Sequence, residues 1–377
     1  MKTVLIVFGT RPEAIKMAPI VLELSKCSYF DVKVCVTAQH RKILDQVMSL
    51  FKINAHYDLD IMTEDQDLTQ TLGKICSGVQ KSIADCDADF VLVHGDTLTS
   101  LGASLAAFLS RVKVGHVEAG LRTDNLFLPW PEEGARRAIT ALTSLHFCPT
   151  KIAVENLEHN GVELSNIFLT GNTVIDALRH TLNTVEIEFN GDTNIFKHLF
   201  FFNNGKRVVL ITCHRRENFG VGIKNLCTAI NELSLSNPNV NFVYPVHPNP
   251  NIRNVVIRSL NDKDNVFLID PLDYKEFVFA MKSAYIILTD SGGIQEEAPF
   301  LCKPVLLLRD NTERPEAISA GTVVQVGTEP RKIVNFVQRL LNSEEYYEDA
   351  VVGKINPYGD GYASVKIRRI LEELLLD

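Results

Sequence analysis

The chain has 377 residues, 46% of them hydrophobic and 22% charged, and carries a net charge of −8. That length and composition fit two globular domains, each with its own core. The acidic balance excludes a basic field able to hold a nucleic-acid backbone, so any phosphate must be met by local cations and helix N-termini.

Short apolar, β-branched runs then recur in chain order. The first group lies at 3–8, 32–37, 90–93, 112–117, 145–147 and 167–170; the second at 208–212, 241–246, 266–269, 285–289, 304–308 and 322–326. Continuous rather than alternating apolar runs predict strands buried on both faces, as in parallel sheets covered by helices. Helix-length stretches between them, such as 98–110, 150–160, 221–234 and 329–342, complete a βα alternation. The polar segment 185–207 interrupts this rhythm and reads as irregular, which puts the inter-domain connection between Gly171 and about Lys206. After Pro357-Tyr358-Gly359-Asp360-Gly361 comes an amphipathic helix that is expected to pack back on the first domain. The predicted domains are therefore 1–172 with 360–377, and 173–359, with ligands outside the carboxyl ends of the strands.

The N-terminal apolar run is too short for a signal peptide and meets Arg11 and Glu13 at once, so it reads as a buried strand. No apolar stretch approaches the roughly 20 residues that span a bilayer. Eight scattered cysteines without a CxxC pair fit free thiols in a reducing cytoplasm rather than disulfides or a zinc site. The sequence thus points to a cytoplasmic protein with no membrane, nucleic acid or metal among its partners.

The strand ends carry the chemistry. Gly9-Thr10-Arg11-Pro12-Glu13-Ala14-Ile15-Lys16 places two cations near a helix start, either a phosphate cradle or two solvated bases. It matches neither a dinucleotide fingerprint nor a P-loop. Asp96, between Gly95 and Thr97, is either a helix cap or a working carboxylate, and Glu118 puts a second acid at the same edge. Pro131-Glu132-Glu133-Gly134-Ala135-Arg136-Arg137 holds two i,i+4 pairs; Glu133–Arg137 reads as a solvated pair, and Glu132 is the stronger functional candidate. In the second half, His214-Arg215-Arg216 follows the strand at 208–212 and suits an anionic leaving group. His247, in a proline-stiffened loop, reads as structural. Asp290-Ser291-Gly292-Gly293-Ile294-Gln295-Glu296-Glu297 exposes backbone N–H groups to a phosphate, with a carboxylate one turn on for a ribose. Arg314 adds a cation.

The strings GTRPEAIKMAP, TAQHR, VLVHGDT, GHVEAGLRT, PWPEE, TGNTVIDAL, HRREN, YPVHPNP, LTDSGGIQEEAP, RDNTERPEA and NPYGDG together resemble bacterial non-hydrolysing UDP-N-acetylglucosamine 2-epimerases, from residue 2 to about 370. The resemblance implies an α/β fold of two Rossmann-like domains with parallel sheets facing a central cleft (glycosyltransferase-B-like), a homodimer, and no metal or redox cofactor. It places Arg11, Lys16, Asp96, Glu118, Glu132, Arg136 and His214 at the reaction centre. It gives UDP to Ser291, Gly292, Gly293, Glu297 and Arg314, with Phe277 and the backbone near Leu272 at the uracil. A second, activating UDP-N-acetylglucosamine site in some members maps to Gln39, Glu132, Arg215 and His247, with Lys42 and Asp65 departing from a member that has it.

The C2 proton of such a sugar has no carbonyl on an adjacent ring carbon, so it is not acidic. Expelling UDP from C1, removing the C2 proton and adding UDP back to the other face needs cations and carboxylates, and both are present. Three rivals remain at this stage: a UDP-sugar glycosyltransferase of the same architecture, a hydrolysing epimerase, and a non-catalytic nucleotide-sugar sensor.

Overall fold

A computed structural model describes residues 1–37, 41–61, 67–123, 125–191, 196–202 and 204–376; the side chains of 41–43, 190 and 191 lie outside that description. Residues Met1–Arg179 with Tyr358–Asp377 form one compact unit, and His180–Pro357 forms the other.

Among the described residues, the first unit is built on seven strands: β1 (Lys2–Phe8), β2 (Phe30–Val36), β3 (Tyr57–Asp58), β4 (Phe90–His94), β5 (Lys113–Val117), β6 (Leu145–Cys148) and β7 (Ile167–Leu169). They pair in parallel in the order β3-β2-β1-β4-β5-β6-β7. The second unit holds β8 (Arg207–Thr212), β9 (Val240–Pro245), β10 (Val266–Ile269), β11 (Ile286–Thr289), β12 (Val305–Leu307) and β13 (Val323–Gln325), parallel in the order β10-β9-β8-β11-β12-β13. All twelve apolar runs are strands because central positions such as Leu5, Val91, Val114, Leu210 and Ile287 are wholly buried between helical layers. The strand order reverses between β1 and β4 in one sheet and between β8 and β11 in the other. Those are the switch points at which such sheets bind ligands.

Two expectations are corrected. The segment 185–207 is not irregular from its start: the helix Thr173–Gly191 covers its first seven residues, with Val185 buried. The unit boundary falls inside that helix at Arg179, seven residues after the expected Asn172, because Asp176 is committed to the first unit. Its carboxylate accepts the Ala363 and Ser364 N–H groups at 3.0 and 2.8 Å and the Ser364 hydroxyl, capping the helix Ala363–Leu376. That helix packs on Arg11–Leu24 through Ile367 and Leu371, both fully buried, and through an Arg368–Glu23 pair at 3.0 Å. The eight cysteines are unpaired, and no described helix is long and apolar enough to cross a membrane.

Candidate active site

In the first unit, β1, β4 and β5 are neighbours, so their carboxyl-end loops converge. After β1, Gly9 allows a close approach that any side chain would block: an added Cβ would stand 1.9 Å from Thr37 Oγ1 and 2.5 Å from Thr99 Oγ1. Thr10 then caps the helix Arg11–Leu24 in a capping box with Glu13. Glu13 is buried and does more than cap. One carboxylate oxygen accepts from the Gly9 and Thr10 N–H groups, and the other from the Thr97 and Ser100 hydroxyls, joining the loops after β1 and β4. Arg11 lies exposed at the helix start, while Lys16, one turn on, is buried.

The helix after β4 is capped by Thr97, which leaves the carboxylate of Asp96 free of the capping role. Its Oδ2 instead accepts from Arg136 Nε and Nη2 at 2.9 and 2.6 Å. Burial opposes the charge on that guanidinium, but Asp96 and Glu133 outweigh it and push its pKa up. Glu118, at the end of β5, has φ +61°, a left-handed backbone that non-glycine residues adopt rarely and that functional sites often retain. Its Oε2 is bonded by Lys16 Nζ and, at 2.7 Å, by Asn172 Nδ2; buried His94 Nε2 stands 3.7 Å away. Burial works to raise the Glu118 pKa, yet the Lys16 charge and then His94 hold it well below the usual carboxylate range.

Glu132 opens the helix Glu132–Leu142, and its buried Oε2 has no hydrogen-bond partner among the described residues. The expected Glu132–Arg136 pair is replaced by Arg136–Glu133 at 3.1 Å, since Arg136 turns toward Asp96. Glu133 is not solvated either. It is wholly buried and takes Arg137 at 2.9 Å and the Thr123 N–H at 3.1 Å, a brace for the loop leading to Glu132.

In the second unit, the loop after β8 is drawn onto the end of β11. Thr212 and Thr289 hydroxyls share a hydrogen bond of 2.7 Å, and fully buried Asp290 accepts the His214 and Arg215 N–H groups at 2.9 and 2.8 Å. Ser291 precedes the helix Gly292–Glu297 without using its hydroxyl as a cap. That helix is only six residues long, so its backbone N–H groups and the cations around it carry any phosphate more than its dipole does. Arg314 lies over Gly292, where an added Cβ would meet the guanidinium at 3.0 Å, and is aimed by Glu296 at 2.7 Å and Glu313 at 3.2 Å. Glu297, one turn on, accepts from the Tyr274 hydroxyl at 2.8 Å. Leu272 precedes and Phe277 lies in the first turn of the helix Tyr274–Ser283, both half-buried after β10.

Residues 22–372 match the family described as UDP-N-acetylglucosamine 2-epimerase. The chain belongs to the UDP-N-acetylglucosamine 2-epimerase family. The Yersinia pestis and Escherichia coli K12 proteins of that name are both 51% identical to it, over 373 and 371 residues, with 98% of each chain covered. The solved Neisseria meningitidis enzyme, bound to UDP-GlcNAc, superposes with a TM-score of 0.88 at 50% identity over 100% of both chains. A Methanocaldococcus jannaschii family member in complex with UDP-GlcNAc and UDP gives 0.79 at 33% identity, covering 99% of this chain and 100% of its own. Sucrose-phosphate synthase from Thermosynechococcus elongatus, 11% identical with a TM-score of 0.64 over 100% of both chains, shares the fold alone. The fold is α/β with two parallel sheets, glycosyltransferase-B-like, as family membership requires.

Within the first unit, Lys16, Asp96, Glu118 and Arg136 gather into two ion pairs at adjoining strand ends. Arg215 and exposed His247 lie beside His214, whose ring stacks on that of His247 at 5.9 Å between centroids. Gln39 and Asp65 lie outside the described residues, as does the Lys42 side chain, so the second sugar-nucleotide site has no geometry here. Sequence reasoning gave no role to Glu13, Glu296 or Asp290. All three stand inside quoted strings, but what they hold lies tens of residues away.

Proposed function

We propose that the chain interconverts UDP-N-acetylglucosamine and UDP-N-acetylmannosamine by eliminating UDP across C1–C2 and adding it back to the opposite face. The observation that carries this reading is the acid set of the first unit: carboxylates at two adjacent strand ends, each matched to a cation. Proton abstraction beside a departing anion needs a base kept ionised without solvent, and Lys16 with Asn172 provides that for Glu118. Arg136 holds Asp96 with two hydrogen bonds, at 2.9 and 2.6 Å. Glu132, whose buried oxygen takes no hydrogen bond among the described residues, completes an acid/base set in which the ring's two faces are served by different groups. Arg11, His214 and Arg314, with the backbone at Ser291–Gly293, stabilise the charge that develops on the diphosphate. Glu297 takes the ribose, and Leu272 and Phe277 take the uracil. A homodimer in the cytoplasm that supplies a precursor of cell-surface polysaccharide completes the proposal.

Incubation with UDP-N-acetylglucosamine in D₂O, followed by proton NMR, tests it. The manno epimer should appear with deuterium at C2, and product formed without deuterium would exclude the elimination route. Release of free N-acetylmannosamine with UDP would mark a hydrolysing enzyme instead. Asp96→Asn and Glu118→Gln should each lower turnover by about 10²–10⁴-fold.

A further inference from the structure

Asp290 is fully buried, yet among the described residues no lysine or arginine is seen paired with it. Its Oδ2 accepts four donors: the Cys213 thiol at 3.2 Å, the His214 and Arg215 N–H groups, and Asn218 Nδ2 at 2.9 Å. Its Oδ1 is buried without a hydrogen bond, and 3.3 Å away stands His214 Nδ1. The donors fix which oxygen does which task. Four convergent donors occupy Oδ2, and a proton on His214 Nδ1, 3.3 Å away, is the donor placed to satisfy Oδ1 among the described residues.

From this geometry we infer that Asp290 is a positioning residue for His214: it pins the imidazole with Nδ1–H on the buried carboxylate, presents Nε2 outward, and keeps the ring cationic when a diphosphate meets Nε2. The reading rests on the role proposed above for His214. A ring whose Nδ1 proton is held by one anion meets a second anion at Nε2 favourably only if Nε2 also carries a proton, so it is the imidazolium that lies between two negative groups. Two further groups stand beside the ring among the described residues. His247 stacks on the ring and accepts the Asn249 N–H at its Nδ1 (3.2 Å), and burial and then Asp290 push the Cys213 thiol pKa well up, so it stays protonated.

Asp290→Asn separates this role from simple support of the loop. The asparagine carbonyl must take the place of Oδ2, because an NH₂ there would face four donors. Its NH₂ then points at His214 Nδ1, which has to accept, so the ring becomes neutral with its proton on Nε2. The experiment is ¹⁵N NMR of the ring nitrogens in histidine-labelled protein saturated with UDP, with His214→Gln assigning the resonance. In the wild type both nitrogens of His214 should be protonated near pH 7.5, and an unprotonated Nδ1 would overturn the inference without reference to any variant. In D290N, Nδ1 should lose its proton, and kcat for UDP-N-acetylglucosamine should fall about 10–10²-fold with KM changed less than threefold.

In an H214Q background the same substitution should cost less than twofold. Equal losses in both backgrounds would show that Asp290 acts on the loop and not through the ring, and would overturn the inference. A wild type that fails to epimerise would refute the functional reading instead, while the ring spectrum with UDP would still decide what Asp290 does.

Discussion

Lys16→Met removes one half of a buried ion pair and leaves the other. The Lys16 and Glu118 side chains are 11% and 9% exposed, so water cannot take over the lost interaction. Breaking such a pair from one side costs about 3–5 kcal/mol. Glu118 keeps the Asn172 hydrogen bond at 2.7 Å, which argues for the lower end, about 3 kcal/mol. For a unit of this size that corresponds to a fall of roughly 6–12 °C in Tm, measurable by circular dichroism and checked by urea titration. The same change removes the largest interaction holding the Glu118 pKa down, so burial then dominates and the pKa rises. Turnover in K16M should therefore fall off on the acid side at a higher pH than in the wild type. The double variant K16M/E118Q, a neutral pair of similar shape, should be more stable than K16M alone, though inactive. A loss below about 1 kcal/mol in K16M, or a double variant whose loss equals the sum of both single losses, would show that the pair is not a coupled buried unit.

Gly9→Ala should destabilise the first unit by about 1–3 kcal/mol, since its methyl would displace two buried threonines that are bonded to each other at 2.9 Å; an unchanged urea midpoint would contradict this. Burial lowers the pKa of His116 to about 3 and of His146 to about 4, whereas unfolded histidine titrates near 6.5. The unfolded chain therefore binds more protons below about pH 6.5, and each group costs the fold about 1.4 kcal/mol per pH unit as the pH falls. His146→Leu should reduce the stability lost between pH 7.5 and 5.0 by about 2 kcal/mol, and an unaltered slope would remove that histidine from the account. Gly292→Ala should push Arg314 aside and weaken UDP binding about tenfold by calorimetry, with little change in Tm; unchanged affinity would show that Arg314 does not meet the nucleotide.

The strands were legible because parallel sheets bury both faces, which turns each central strand into an unbroken apolar run. β3 left no such signal: it is two residues long, at a sheet edge, with Asp58 exposed. The helix past Val185 was misread because its outer face is polar and its glycine end resembles a loop. In the site, residue types and strand-end placement already pointed to Lys16, Asp96 and Glu118, and the family resemblance added Arg136. The pairings were hidden, because an i,i+4 spacing favoured Glu132–Arg136 while the fold offered Arg136 a carboxylate 40 residues away. Asp290 shows the same limit. Beside Ser-Gly-Gly it reads as part of a phosphate loop, and only the adjacency of β8 and β11 reveals that it serves the loop 76 residues earlier.

The helix Ala363–Leu376 gives the chain an unusual order of assembly. Synthesis reaches 180–357 before 358–376, so the second unit has all its residues while the first still lacks the helix that covers Arg11–Leu24. Until then the helix Arg11–Leu24 lacks the neighbour that packs on it, Glu23 lacks Arg368, and Asp176 is a carboxylate without its helix. A stop codon near 357 would therefore damage the half of the molecule that was made first.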